Sequence, residues 1–294
     1  MNYILQALKG KNDWWRTSVI VLIFVLIFGL SFIQSAGISE EEMKQMMSPT
    51  GIKNIDLIIN LIPFGILLGL LFVLFYFLHK RSIITLTTAR PKVDFKRIFF
   101  CFFFVIVIQV LLFAVSYKID SSHIEWNFDL YKFIPLVIIS LLLLPIQIGL
   151  EEYLFRGYLM QQIGVYTRSI WIPLIITSVL FGLLHGANPE VAELGLKMMV
   201  FYIGTGLFMG IMTVLDEGLE LALGFHFANN FLAATLITSD FSALQTDAMF
   251  KYSGEIDKTA MFNETLISMA ISYPLFLIAF GVIYKWKWSN LLKK

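Results

Sequence analysis

The sequence predicts an all-α integral membrane protein of about eight transmembrane helices. Three observations lead there. Of the 294 residues, 58% are hydrophobic and 15% charged, whereas a soluble domain is just under half apolar and about a quarter charged. The apolar residues gather into runs close to the roughly 20 residues that cross a hydrocarbon core about 30 Å thick. No repeat, low-complexity tract or soluble-sized domain separates them. The longest polar connections, about 38–54, 79–97, 118–132 and 239–265, are too short for one.

The runs fall at about 18–36, 55–78, 98–117, 133–150, 170–187, 197–215, 219–238 and 266–284. The first follows Lys9, Lys11 and Arg16, but it exceeds the 7–15-residue apolar core typical of a secretory signal, which predicts an uncleaved anchor. Pro63, Pro135, Pro145, Pro173 and Pro274 lie in or near the runs, where membrane helices tolerate proline.

Basic residues in the loops set the orientation. With both termini cytoplasmic, Lys9, Lys11 and Arg16 share one side with Lys80, Arg81, Arg90, Lys92, Lys96 and Arg97. Arg156, Arg168, Lys285, Lys287, Lys293 and Lys294 join them. The expectation is a multi-pass protein of the cell membrane with the N- and C-termini inside. The short acidic segment Asp216-Glu217-Gly218-Leu219-Glu220 lends this no support. Three parts follow: residues 1–130 with about three spans, a core over 131–240, and 241–294 with a loop and the last span.

A net charge near +1 gives no sign of a nucleic-acid partner. The single cysteine, Cys101, lies in FFCFFFVIVI, which excludes an intramolecular disulfide or a cysteine metal cluster. It reads as a small apolar residue, buried or facing lipid.

Ionisable side chains inside spans are rare and face protein or water. Here they form three groups: Glu151, Glu152 and Arg156; then His185; then His226 with Asn229 and Asn230. His79, beside Lys80 and Arg81, and His123, in a polar loop, read as solvated. Residues four apart share a helix face, whereas neighbours point about 100° apart. Glu152 can therefore pair with Arg156, which leaves Glu151 free to point elsewhere. His226 and Asn230 share a face, as do Phe181 and His185.

If the fourth helix runs on through EEYLFRGYLMQQIG to a turn near Gly164–Arg168, the depths of Glu151 and His185 agree to within about 6 Å. Glu151 is then expected to face His185. His226 lies only roughly 12 Å beyond the acidic turn, so it fits this layer less well and calls for a broken or tilted helix.

Glutamate and histidine together can activate water, the carboxylate taking its proton. A histidine with an asparagine can donate to a developing oxyanion. That set suits hydrolysis of an amide bond within the membrane. There is no GxSxG, and Cys101 has no polar neighbour, which disfavours a covalent nucleophile. Two Glu and two His could also hold zinc, although HExxH is absent and no His pair is spaced i, i+4. The same residue types would serve a proton or ion path through a transporter, and residue chemistry alone gives the two equal weight.

The motifs Glu151-Glu152-x3-Arg156, Phe181-x3-His185 and His226-x3-Asn230 resemble, in order, the three motifs of the CPBP family. These are the CAAX proteases and bacteriocin-processing enzymes, also called Abi, which include the type II CAAX prenyl endopeptidase. The resemblance covers about 133–240. It implies a multi-pass intramembrane endopeptidase, with a polar catalytic cavity among the motif-bearing helices and a peptide or membrane protein as substrate. Glu151 and His185 would activate the water, His226 and Asn230 would stabilise the oxyanion, and Glu152 and Arg156 would shape the site. It further implies a glutamate-dependent mechanism without bound metal, zinc being the alternative. A bacteriocin-immunity or interaction protein keeping the fold is the other reading.

Overall fold

The computed structural model describes residues 2–37, 39–254 and 257–292. Lys293 and Lys294, counted above among the basic residues of the C-terminus, lie outside them. The principal helices are α1 (Trp14–Ala36), α2 (Lys53–His79), α3 (Phe95–Ile119), α4 (Leu130–Thr167), α5 (Trp171–Leu184), α6 (Met199–Asp216), α7 (Glu220–Thr235) and α8 (Lys258–Ile283). Each predicted run lies on one of them, so the all-α membrane architecture holds. Six stretches are long and apolar enough to cross a membrane: 14–34, 53–79, 95–119, 130–167, 196–216 and 258–283. The predicted runs at 170–187 and 219–238 are shorter.

Local sequence explains why those two stop early. α5 ends where Asn188, extended at ψ 145°, precedes Pro189, and a residue before proline is pushed out of the helical region. α7 is 16 residues long and buried over most of its length. It follows a tight turn in which Glu217 takes a left-handed conformation at φ 56°. The long α4 runs, as expected, through the glutamate pair to a turn at Arg168, also left-handed at φ 52°.

The short acidic 216–220 turn lies inside the protein, with Asp216 and Glu220 buried. Short helix Ile84–Thr87 and the chain after it cover the turn. The Leu219 amide donates to the Thr87 carbonyl at 2.7 Å, and the Ala89 amide donates to the Glu217 carbonyl at 3.0 Å. Arg90 reaches Asp216 at 2.9 Å and Glu220 at 3.1 Å, while Arg97 reaches Asp216 at 2.5 Å. The N-terminus joins this layer through the Tyr3 hydroxyl, which donates to the Leu86 carbonyl at 2.5 Å. The C-terminal segment joins through Trp286, which donates to Asp216 at 2.9 Å. α7 therefore starts well below the surface of this end, and His226 lies deeper than a count from the turn suggests. A close approach to α3 fixes its position. A Cβ on Gly224 would run into the Ile98 carbonyl oxygen and lie 2.8 Å from Cβ of Cys101. Cys101 itself is buried.

The opposite end carries a three-stranded sheet that the helical reading did not foresee. β1 (Ile124–Trp126), β2 (Ile237–Thr238) and β3 (Phe250–Tyr252) are ordered β1-β3-β2. β1 runs antiparallel to β3 with Glu125 opposite Lys251, and β2 runs parallel to β3. The β-branched and aromatic residues of these connections favour extended backbone. His79 is buried rather than solvated, its ring nitrogens 2.8 Å from the Lys11 carbonyl and 3.0 Å from the Tyr158 hydroxyl. His123 is exposed, as expected.

Candidate active site

Glu151 and Glu152 close the α-helical first part of α4, after which Tyr153–Leu159 winds as a π-helix. Such segments are rare and concentrate at functional sites. The expected i, i+4 pair is present: Arg156 donates to Glu152 Oε1 at 2.8 Å, and both side chains are fully buried. Arg156 also donates to the Gly206 carbonyl on α6 at 3.2 Å, and its guanidinium sits 4.2 Å from the Phe181 ring centre. Burying two charges is costly unless they are paired and hydrogen-bonded. Here the pairing extends further, because His226 Nδ1 lies 2.8 Å from the same Glu152 oxygen.

A carboxylate oxygen accepts, so Nδ1 of His226 carries the hydrogen and its Nε2 is turned to the other side. There it meets Glu151, whose Oε2 lies 3.5 Å away. Glu151 is 9% exposed. Its Oε1 accepts from Nε2 of Gln147, one helical turn earlier, while Oε2 is buried without a hydrogen-bond partner. Gln147 serves a second residue, since Nδ2 of Asn230 donates to Gln147 Oε1 at 2.8 Å. Asn229 faces elsewhere, donating to the Phe225 carbonyl and accepting from Gln109.

The structure thus brings Glu151, Glu152, Arg156, His226 and Asn230 into one connected group from α4 and α7. The expected contact between Glu151 and His185 is replaced by one between Glu151 and His226. His185 occupies the end of α5, where its Nδ1 donates to the Phe181 carbonyl at 2.7 Å and its ring stacks on Tyr202 at 4.5 Å. The Phe181 ring stands beside both histidines, 4.5 Å from His185 and 5.8 Å from His226 between centres. No hydrogen bond or ion pair joins His185 to Glu151, although the two lie close enough for their charges to interact. With Nδ1 spent on a carbonyl, the lone pair of His185 is on Nε2.

Sequence reasoning passed over Gln147 and Tyr202. Gln147 carried a usable signal, being the one polar side chain in LLLLPIQIGL and four residues before Glu151. Glu152 Oε1 and both nitrogens of His226 are directed at one another and at Arg156 and Glu151. Among the described residues no three His, Cys, Asp or Glu side chains are grouped to hold one.

All seven motif residues lie within a span that known proteins share. Residues 131–232 match the type II CAAX prenyl endopeptidase Rce1-like family. The resemblance to the CPBP family carried by the three motifs is borne out. Over 251 residues the chain is 29% identical to the uncharacterized protein YyaK of Bacillus subtilis (strain 168), covering 81% of this chain and 83% of that protein. No solved structure matches. The Rce1-like span runs from the start of α4 to within α7, so the paired carboxylates, both histidines and Asn230 all belong to it.

Proposed function

We propose that the protein is an intramembrane endopeptidase that hydrolyses a peptide bond with water activated by Glu151. The observation that carries this reading is the state of the Glu151 carboxylate. One oxygen is held by Gln147; the other is buried, lacks a hydrogen-bond partner and faces His226 Nε2 across 3.5 Å. An orphaned buried acceptor is costly, and this oxygen is the one left free to take up a proton. The Rce1-like match supports a peptidase rather than a transporter or a binding protein.

In the reaction, Glu151 takes a proton from the water as its oxygen attacks the carbonyl carbon. The lone pair on His185 Nε2 can help orient that water. Asn230 gives one amide hydrogen to Gln147 and keeps a second for the oxyanion. Nε2 of His226, its partner nitrogen held by Glu152, donates to the oxyanion when protonated. The proton on Glu151 then passes to the leaving nitrogen as the C–N bond breaks, giving a carboxylic acid and an amine. This assignment needs no metal or cofactor. The catalytic core is assigned to 131–240, the substrate is a peptide or a membrane-protein segment, and the termini face the cytoplasm.

The test is turnover of a quenched-fluorescent peptide library by purified protein. Glu151→Gln keeps the shape and removes the base. It is expected to lower turnover by at least about 100-fold, the lower end for a general base, with the melting temperature retained. Unchanged turnover overturns the proposal.

A further inference from the structure

Beside the site, where α2 ends, lies a cavity of about 490 Å³ whose polar wall is formed by Tyr76, Lys80, Arg81, Ser82, Thr87 and Tyr153. Its most unusual member is Arg81. The residue is 3% exposed, yet among the described residues it makes no ion pair. By contrast, Arg90, Arg97 and Arg156 each face a carboxylate. The guanidinium of Arg81 donates to Gln161 Oε1 at 2.6 Å and lies 4.6 Å from the Phe75 ring centre. Its Nε and second terminal nitrogen are buried without partners. Burial pushes its pKa down to about 10, which still leaves it charged at neutral pH.

Buried charges are ordinarily paired, because an isolated one is strongly disfavoured. The wall supplies more than this one charge. Lys80 is exposed, its ammonium lying over the Phe77 ring face at 5.4 Å, and among the described residues it makes no ion pair. The hydroxyls of Thr87 and Tyr153 share one hydrogen bond at 2.9 Å; that bond uses one of their two hydrogens and leaves the other to donate. An exposed ammonium, the uncompensated charge of Arg81 behind the wall and a free hydroxyl donor are the complement of a phosphate-type anion.

We propose that this cavity binds the phosphate of an anionic lipid headgroup. The location selects lipid over free phosphate. The cavity opens at the end of a membrane-length helix, beside the exposed ring of Tyr76, at the level where aromatic rings and headgroups meet. Basic pockets between membrane helices on this side suit anionic headgroups. Tyr153 follows Glu152 directly and opens the π-helical segment, so a bound headgroup touches the element that carries the carboxylate pair.

Native mass spectrometry of the full chain in detergent, titrated with phosphatidylglycerol or phosphatidylcholine of equal chain length, tests this. The wild type is expected to retain phosphatidylglycerol preferentially. Lys80→Ala, at an exposed position, is expected to weaken that retention by about fivefold, the contribution of one lysine near an anionic headgroup. Tyr153→Phe is expected to weaken it independently. Equal retention of the two lipids overturns the proposal, as does phosphatidylglycerol binding unchanged in both variants. Displacement of phosphatidylglycerol by millimolar inorganic phosphate would make free phosphate the ligand and overturn the lipid assignment.

Discussion

Gln147 donates through its amide nitrogen to Glu151 and accepts through its oxygen from Asn230. One carboxamide therefore fixes the proposed base on α4 relative to the proposed oxyanion donor on α7. Gln147→Leu removes both bonds with little change of volume. Its expected effect is a fall in kcat of about tenfold or more with KM nearly constant, since misplacing a reacting group is costly without weakening substrate binding. Leaving the buried Glu151 carboxylate without its Gln147 donor adds a stability loss of about 1–3 kcal/mol, read by thermal unfolding. A rise in KM with kcat intact would remove Gln147 from this role. At this scale, i, i+4 spacing made the Glu152–Arg156 pair and the shared face of His226 and Asn230 legible. Which histidine Glu151 meets was not, because helix depth gave His185 the better match. That result depended on the Phe181 carbonyl holding His185 and on the burial of the 216–220 turn, both contacts between distant parts of the chain.

Among elements, the short helix Pro189–Leu194 links the end of α5 to the polar cap formed by the later loops. Asn188 donates to the Tyr202 hydroxyl at 3.3 Å, under the His185 ring. Glu190 accepts from the Ala243 amide at 2.7 Å, while its second oxygen is buried without a partner. Burial raises the Glu190 carboxyl above the usual carboxylate range, against the opposing pull of the Ala243 amide. For a carboxyl raised in the folded state, the associated stability is full below the unfolded pKa, about 4.3. It is lost as pH rises through the folded value. Above that folded value the cap therefore holds a disfavoured charge. Glu190→Gln is expected to raise the melting temperature at pH near 8 and to give no gain near pH 4, measured across a pH series. A lower melting temperature at pH 8 would show the charge to be favourable. The cap and its three strands escaped the sequence reading for a physical reason: strands of two or three residues carry almost no periodic signal and exist only through pairing, which for β1 and β3 crosses more than 100 residues.

The whole molecule has two chemically different ends, and hydropathy made the helices between them legible. At one end the N-terminal segment, residues 84–97, the 216–220 turn and the C-terminal segment are tied together by Tyr3, Arg90, Arg97 and Trp286. At the other stand the three strands and the Glu190 contact with the 239–247 loop. Lysine and arginine concentrate at the first end, and positive loops stay cytoplasmic, so the sheet is expected outside. Cys101 makes this testable without altering the background, since the only native thiol is buried. Lys92→Cys and Glu125→Cys place single reactive thiols at exposed positions on opposite ends. A membrane-impermeant maleimide added to intact cells is expected to label Glu125→Cys and to reach Lys92→Cys only after the membrane is opened. The reverse pattern would invert the orientation. Labelling of both from one side would be incompatible with an odd number of crossings between residues 92 and 125, where α3 is the one membrane-length helix.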